Sequence, residues 1–199
     1  MKKLKSNQET RIPYRWFYTS SNKKVIAGKS SEQNDALIKK FKEIGEEYLV
    51  MHTSSPGSPF AIIQAPIKDI LKSDLEETAI FTGCFSRAWR ERKKKTIVEV
   101  FHLSQLYKNE RMKTGTWGIK GKVERVSVEL SLALTKQKGI LRAVPEMTVK
   151  KKKVILKIRP GKNDKTSMLS KFQVEIKFPF TQEELLSALP PGGVAIART

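Results

Sequence analysis

Tyr14-Arg15-Trp16-Phe17-Tyr18-Thr19-Ser20-Ser21-Asn22-Lys23-Lys24-Val25-Ile26-Ala27-Gly28-Lys29-Ser30-Ser31-Glu32 decides the fold. Dense aromatics over 14–19 suit a strand, Ser20-Ser21-Asn22 has turn chemistry, and 24–29 returns as the second strand of a hairpin. Ser30 or Ser31 then caps a helix over about 32–42, where Ala36, Leu37, Ile38 and Phe41 fall near helical spacing. A strand pair that runs straight into a capped helix points to an α+β chain.

Downstream, 48–52 and 60–64 read as strands around the turn-rich loop Ser54-Ser55-Pro56-Gly57-Ser58-Pro59. The capping box Ser73-Asp74-Leu75-Glu76 opens a helix predicted over 74–92, with Leu75, Thr78, Ala79, Thr82, Phe85, Ser86 and Trp89 on one face. Strands are predicted over 97–103, 117–122, 123–134, 140–144, 154–158 and 172–178. A second capping box, Thr181-Gln182-Glu183-Glu184, opens a short helix that Pro190-Pro191-Gly192-Gly193 stops. The expected fold is α+β: a mixed, mainly antiparallel sheet packed with two or three helices, plus a β-rich C-terminal extension. The expected organisation is a flexible N-terminus over 1–13, a main domain over 14–122 and a basic extension over 123–199.

The 199 residues include 39 Lys and Arg against 20 Asp and Glu, a net charge of +19. Such an excess repels itself and selects polyanionic partners, nucleic acid first. Mean hydropathy is −0.43. No apolar run reaches the ~18 residues of a membrane span, and no apolar segment follows the basic start, so a soluble, cytoplasmic protein is expected. One cysteine, Cys84, excludes an internal disulfide and reads as a small buried residue.

Catalytic signals are weak. No Gly-x-Ser-x-Gly elbow, metal-spaced carboxylate cluster or phosphate-cradling P-loop occurs. His52 reads as a strand-end residue bonded to its own loop. Trp16 and Trp89 read as core, while Trp117 is open between core and base stacking. Gly115, Gly118 and Gly121, with Lys120 and Lys122, suit a strand with close backbone approach. Neither a cofactor nor a metal is expected.

Several of these segments, in this order, resemble the NFACT-R domain family. This is the C-terminal domain of NEMF-type and fibronectin-binding-protein-type proteins of ribosome-associated quality control, found also alone. The matching pieces are Tyr14-Arg15-Trp16-Phe17-Tyr18-Thr19-Ser20, Gly28-Lys29, Gln33-Asn34 with Leu37, His52 with Pro56-Gly57-Ser58, Thr78-Ala79 through Phe85-Ser86-Arg87-Ala88-Trp89, and Thr114-Gly115 through Gly121-Lys122. Later pieces, Arg159-Pro160-Gly161-Lys162 and Leu189-Pro190-Pro191-Gly192-Gly193, are similar to archaeal members. Ser54 or Ser55 stands where the family often has Asp, and Pro59 where a polar residue often follows.

The resemblance implies a non-catalytic RNA-binding module for tRNA or ribosomal RNA, with the ribosome as a partner. Charge independently favours Arg87, Arg92, Lys93, Lys94, Lys95, Lys108, Arg111, Lys120, Lys122 and the run Lys150, Lys151, Lys152, Lys153 as phosphate contacts. Arg15, Trp16, His52, Ser54, Gly57 and Ser58 complete the expected site. Three alternatives remain at this point: a nucleic-acid-processing enzyme using His52, a DNA-binding module, and a protein-interaction module docking through a sheet edge.

Overall fold

Alternation in the first hairpin dictates a sheet with two buried faces. The computed structural model describes residues 13–149 and 155–197. In it β1 (Arg15–Tyr18) pairs antiparallel with β2 (Lys24–Ala27), with Trp16 opposite Ile26 and Phe17 opposite Val25. Successive side chains take opposite faces. Trp16 and Ile26 therefore join one hydrophobic cluster, and Phe17, Val25 and Ala27 another.

The helix α1 (Ser31–Ile44) covers the first face with Leu37, Ile38 and Phe41. Ser30 caps it, its Oγ accepting from the Gln33 N–H at 3.3 Å, and Gly45 ends it in the left-handed region. Next come β3 (Leu49–Thr53), β4 (Ala61–Ile63), α2 (Lys72–Cys84), α3 (Arg87–Arg90) and β5 (Lys95–His102). The short ribbon β6 (Leu106–Tyr107) with β7 (Gly118–Ile119) precedes β8 (Glu124–Glu129). The first sheet has the order β1-β2-β4-β3-β5-β8, and every pair is antiparallel. On its second face, α2 buries Ala79, Phe81 and Cys84.

The chain beyond β8 builds a second antiparallel sheet in the order β10-β9-β11-β12, from β9 (Leu132–Gln137), β10 (Ile140–Val144), β11 (Leu156–Asn163) and β12 (Val194–Ala197). Between β11 and β12 lie α4 (Leu169–Glu175) and α5 (Gln182–Ala188). The α2-side cluster continues without a break through Trp89, Leu130, Leu132 and Leu134 to Phe172, Leu185 and Val194. Trp89 is fully buried, and its Nε1–H donates to the Gly193 carbonyl at 2.9 Å. At the edge of the first sheet, the Gln137 amide accepts from the Tyr18 N–H and donates to the Tyr18 carbonyl, both at 2.8 Å.

The α+β class with antiparallel sheets stands, but several elements differ from the sequence reading. The helix expected over 74–92 is two helices. α2 starts two residues earlier, at Lys72, and the Asp74 carboxylate accepts from the Leu71 N–H. It stops at Cys84, and Ser86 restarts the chain as α3 by donating to the Gly83 carbonyl and accepting from the Ala88 N–H. Residues 172–178 are not a strand. Their period-2 pattern hides a helical one: Met168, Phe172 and Ile176 are buried at spacing four, while Val174 is 68% exposed. The strand expected over 123–134 is divided between β8 and β9, and that over 117–122 shrinks to β7. Residues 1–12, the start of the strand expected at Val154, and the run Lys150, Lys151, Lys152 and Lys153 lie outside the described residues.

Candidate nucleic-acid interface

The turn-rich loop after β3 is built from its own hydroxyls. The Thr53 N–H donates to Ser58 Oγ at 2.9 Å, and Thr53 Oγ1 donates to the Ser55 carbonyl at 2.6 Å. Asn34 on α1 holds the loop's end, accepting from the Phe60 N–H at 3.1 Å and donating to the Ser58 carbonyl at 3.4 Å. Gly28 must be glycine here, because a Cβ would meet Asn34 Oδ1 at 2.2 Å. Residues 54–57 are left exposed.

Gly57 adopts φ +101°, and its carbonyl accepts from the Arg87 N–H at 2.8 Å. A Cβ on Gly57 would come within 3.2 Å of Arg87 Cβ and Nε. Gly57→Ala is expected to lose about 1–3 kcal/mol of stability in urea unfolding with an unchanged far-UV spectrum. A neutral substitution would mean that Arg87 does not hold the loop in this geometry.

His52 is half-buried, its ring 4.6 Å from that of Phe60, with Nδ1 2.7 Å from the Thr53 carbonyl. Burial lowers its pKa against the smaller opposing pull of the Thr53 carbonyl and Glu99, so the neutral ring prevails at pH 7. It bonds within its own loop, as the sequence reading expects. Cys84 is fully buried, and burial pushes its thiol pKa up.

A second loop is tied to the same end of α1. Burial raises the Asp35 carboxyl, but hydrogen bonds from Lys108, Trp117 Nε1 and the Gly115 N–H outweigh it and hold its pKa below the ordinary value. The distances are 2.7 Å from Lys108, 2.8 Å from Trp117 and 3.0 Å from Gly115. Lys108 also donates to the carbonyls of Lys113 and Thr116. Its charge is therefore spent inside the protein. Trp117 is half-buried, its indole N–H engaged.

These two loops, the start of α1 and the first hairpin wall a cleft of about 570 Å³. Arg15, Lys29, His52, Ser54, Gly57, Ser58, Arg90, Thr114, Gly115, Thr116 and Trp117 line it. The N-terminal turn of α1 opens into it through Ser30 and Ser31, adding the positive end of the helix dipole. A neighbouring recess brings Arg87 and Lys93 beside Ser55 and Pro56.

Arg92, Lys94 and Lys95 are exposed on the same segment, with Lys93 paired to Glu91 at 2.8 Å and Lys95 to Glu129 at 3.2 Å. Arg111, Lys120 and Lys122 are exposed but do not line the cleft, and Lys120 sits 5.0 Å from the Tyr107 ring. Trp16 is buried, with the Arg142 guanidinium 4.2 Å from its ring.

Sequence reasoning left out Lys29, Arg90, Asn34 and Arg142 as site residues. Arg90 carried a signal, as the first residue of a segment with five cations in six positions. Among the described residues no group of three or more His, Cys, Asp and Glu could hold a metal ion, and no helix is long and apolar enough to cross a membrane.

Residues 13–121 match the family described as NFACT protein RNA binding domain. The chain is 28% identical over 187 residues to the archaeal Rqc2 homolog aRqcH of Methanocaldococcus jannaschii, a match covering 87% of this chain and 27% of that protein. It is 30% identical over 112 residues to the ribosome quality control complex subunit NEMF of Mus musculus, covering 54% of this chain and 10% of that one. The chain thus spans about a quarter of the archaeal relative and a tenth of the mammalian one. A similar solved structure is the C-terminal part of the fibronectin/fibrinogen-binding protein from Streptococcus suis, with TM-score 0.51 and 21% identity over 59% of this chain and 45% of that chain. That likeness concerns the fold.

Proposed function

Because this chain belongs to the family of the NFACT protein RNA binding domain, we propose that it binds structured RNA without transforming it, with tRNA or ribosomal RNA as target. The observation that carries this reading is the cleft. Its reactive-looking histidine is neutral and bonded to its own loop, while cations, an exposed serine-rich loop and a helix N-terminus line the cleft. Such a surface suits phosphates and shape rather than proton transfer. Arg15, Lys29, Arg87, Arg90 and the exposed cations over 92–95 neutralise phosphates and release counterions, and the Ser54–Gly57 backbone adds directional contacts.

One relative is named as a ribosome quality control complex subunit and another as an archaeal Rqc2 homolog, so the ribosome is the proposed setting and the cytoplasm the proposed compartment.

The test is binding of nuclease-treated protein to tRNA, ribosomes and duplex DNA across a salt series. Tighter binding to tRNA or ribosomes than to DNA, with a steep salt slope, is expected. Changing Lys93, Lys94 and Lys95 together to Glu should flatten the slope by about two to three, one phosphate contact each. Equal, weak binding to every polyanion would overturn the RNA reading. RNA turnover abolished by His52→Ala would replace it with the enzymatic one.

A further inference from the structure

The RNA cleft does not account for Arg142, which lies beyond the residues matched to the family. Arg142 projects from β10 into a second cavity, of about 430 Å³, together with Arg15 and Lys29. This cavity lies where the first hairpin meets β10 and α5, and Arg15, Lys29 and Phe85 line both it and the cleft. Among the described residues no carboxylate lines it. The two guanidiniums rest on aromatic faces, Arg15 4.9 Å from the Phe85 centroid and Arg142 4.2 Å from that of Trp16. Both Nε atoms are buried and, among the described residues, have no hydrogen-bond partner.

Buried polar groups are ordinarily satisfied, and converging like charges are held together against repulsion. Burial lowers the Arg15 pKa to about 10 and lowers that of Arg142. Lys29 is lowered by burial and then by the charges of Arg15 and Arg142, which places the three in one field. A group that satisfies two guanidinium forks and an ammonium at once is a tetrahedral oxyanion.

We propose that this cavity is a phosphate-binding site, in which Arg15, Arg142 and Lys29 hold a phosphate group of an RNA strand that continues from the adjoining cleft. The site itself stands on the cation geometry alone. Its assignment to an RNA strand rests on the RNA-binding reading above.

The experiment uses the full chain, freed of nucleic acid, in phosphate-free buffer. Inorganic phosphate is titrated against chloride at matched ionic strength, with thermal melting and the arginine Nε–H resonances as readouts. Phosphate should raise the melting temperature beyond the chloride control and shift the Arg15 and Arg142 resonances. Arg15→Gln and Arg142→Gln should each abolish that rise. Their phosphate-free melting temperatures should match or exceed the parent's, because one of three repelling charges is gone. Arg142→Lys keeps the charge without the planar fork, and should weaken the phosphate response several-fold in a folded protein.

A salt series with tRNA then identifies the source. A slope flattened by about one in each Gln variant supports the strand phosphate. A lost phosphate response with an unchanged tRNA slope overturns the RNA assignment in favour of a small phosphate compound. No tRNA binding by the parent, with phosphate bound as expected, overturns the RNA reading and the RNA assignment but supports the site. No phosphate response beyond chloride, or an equal one in parent and variants, overturns the site whatever tRNA does.

Discussion

Trp89→Ala is expected to remove about 3–5 kcal/mol of folding stability, the largest loss from any single side chain discussed. Trp89 is among the largest fully buried side chains, and it sits where the cluster beneath the first sheet passes into the second. Truncation leaves a cavity in interiors that collapse only partly, and it takes the indole donor from the Gly193 carbonyl, which keeps only the Gly161 N–H at 3.2 Å. Urea unfolding checks it. The midpoint should fall sharply in one transition seen alike by fluorescence and far-UV dichroism. Two separated transitions would instead mean that the sheets fold independently and that Trp89 belongs to only one of them. A loss below about 1 kcal/mol would contradict the packing described.

Asp35→Ala is expected to cost about 3 kcal/mol at pH 7. It leaves the Lys108 ammonium half-buried without its counter-charge and frees Trp117 and Gly115 together. The sign of the pH dependence follows from the depressed folded-state pKa. The carboxylate's contribution is fully present above the unfolded value near 3.9 and is lost as pH falls through the folded value. The stability gap between parent and Asp35→Ala should therefore be widest at neutral pH and shrink as pH drops below about 4. Urea midpoints at pH 7 and pH 3 read it. A gap that persists undiminished in acid would mean that side-chain packing, not the ionised group, ties the loop to α1.

Much of this was legible in the sequence, for identifiable reasons. The first hairpin, the Ser30 cap and the face of α1 are local features, fixed by residues within a few positions of one another. The division of α2 from α3 rests on the Ser86 cap, which a continuous helical face hides. The fit of α2 on the sheet is not local, for Gly83 lies so close to β5 and β8 that a Cβ would meet Val128 Cγ2 at 2.8 Å and Thr96 Cγ2 at 2.9 Å. Residues 172–178 fit both periods, and only the surroundings of Phe172 and Ile176 choose the helix. At the site, the Thr53–Ser58 loop could be read from its own residues. Arg142 could not, since a lone arginine between Leu141 and Ala143 acquires meaning only when β10 is laid beside Arg15. Lys108 was misleading in the opposite way, its charge being turned inward by an aspartate 73 residues away in sequence.

The Gln137 amide on Tyr18 has a consequence for the molecule's behaviour in crowded solution. An outermost strand offers unmatched N–H and C=O groups, which can recruit another polypeptide and grow ordered aggregates. At Tyr18 a side chain occupies both groups with the donor–acceptor spacing of a neighbouring backbone. A strongly basic chain already discourages self-association through its charge, but a polyanion removes that protection by neutralising it. The amide's cover is uncharged and unaffected by salt, so this part of the strand's edge stays closed when bound nucleic acid has cancelled the repulsion between copies.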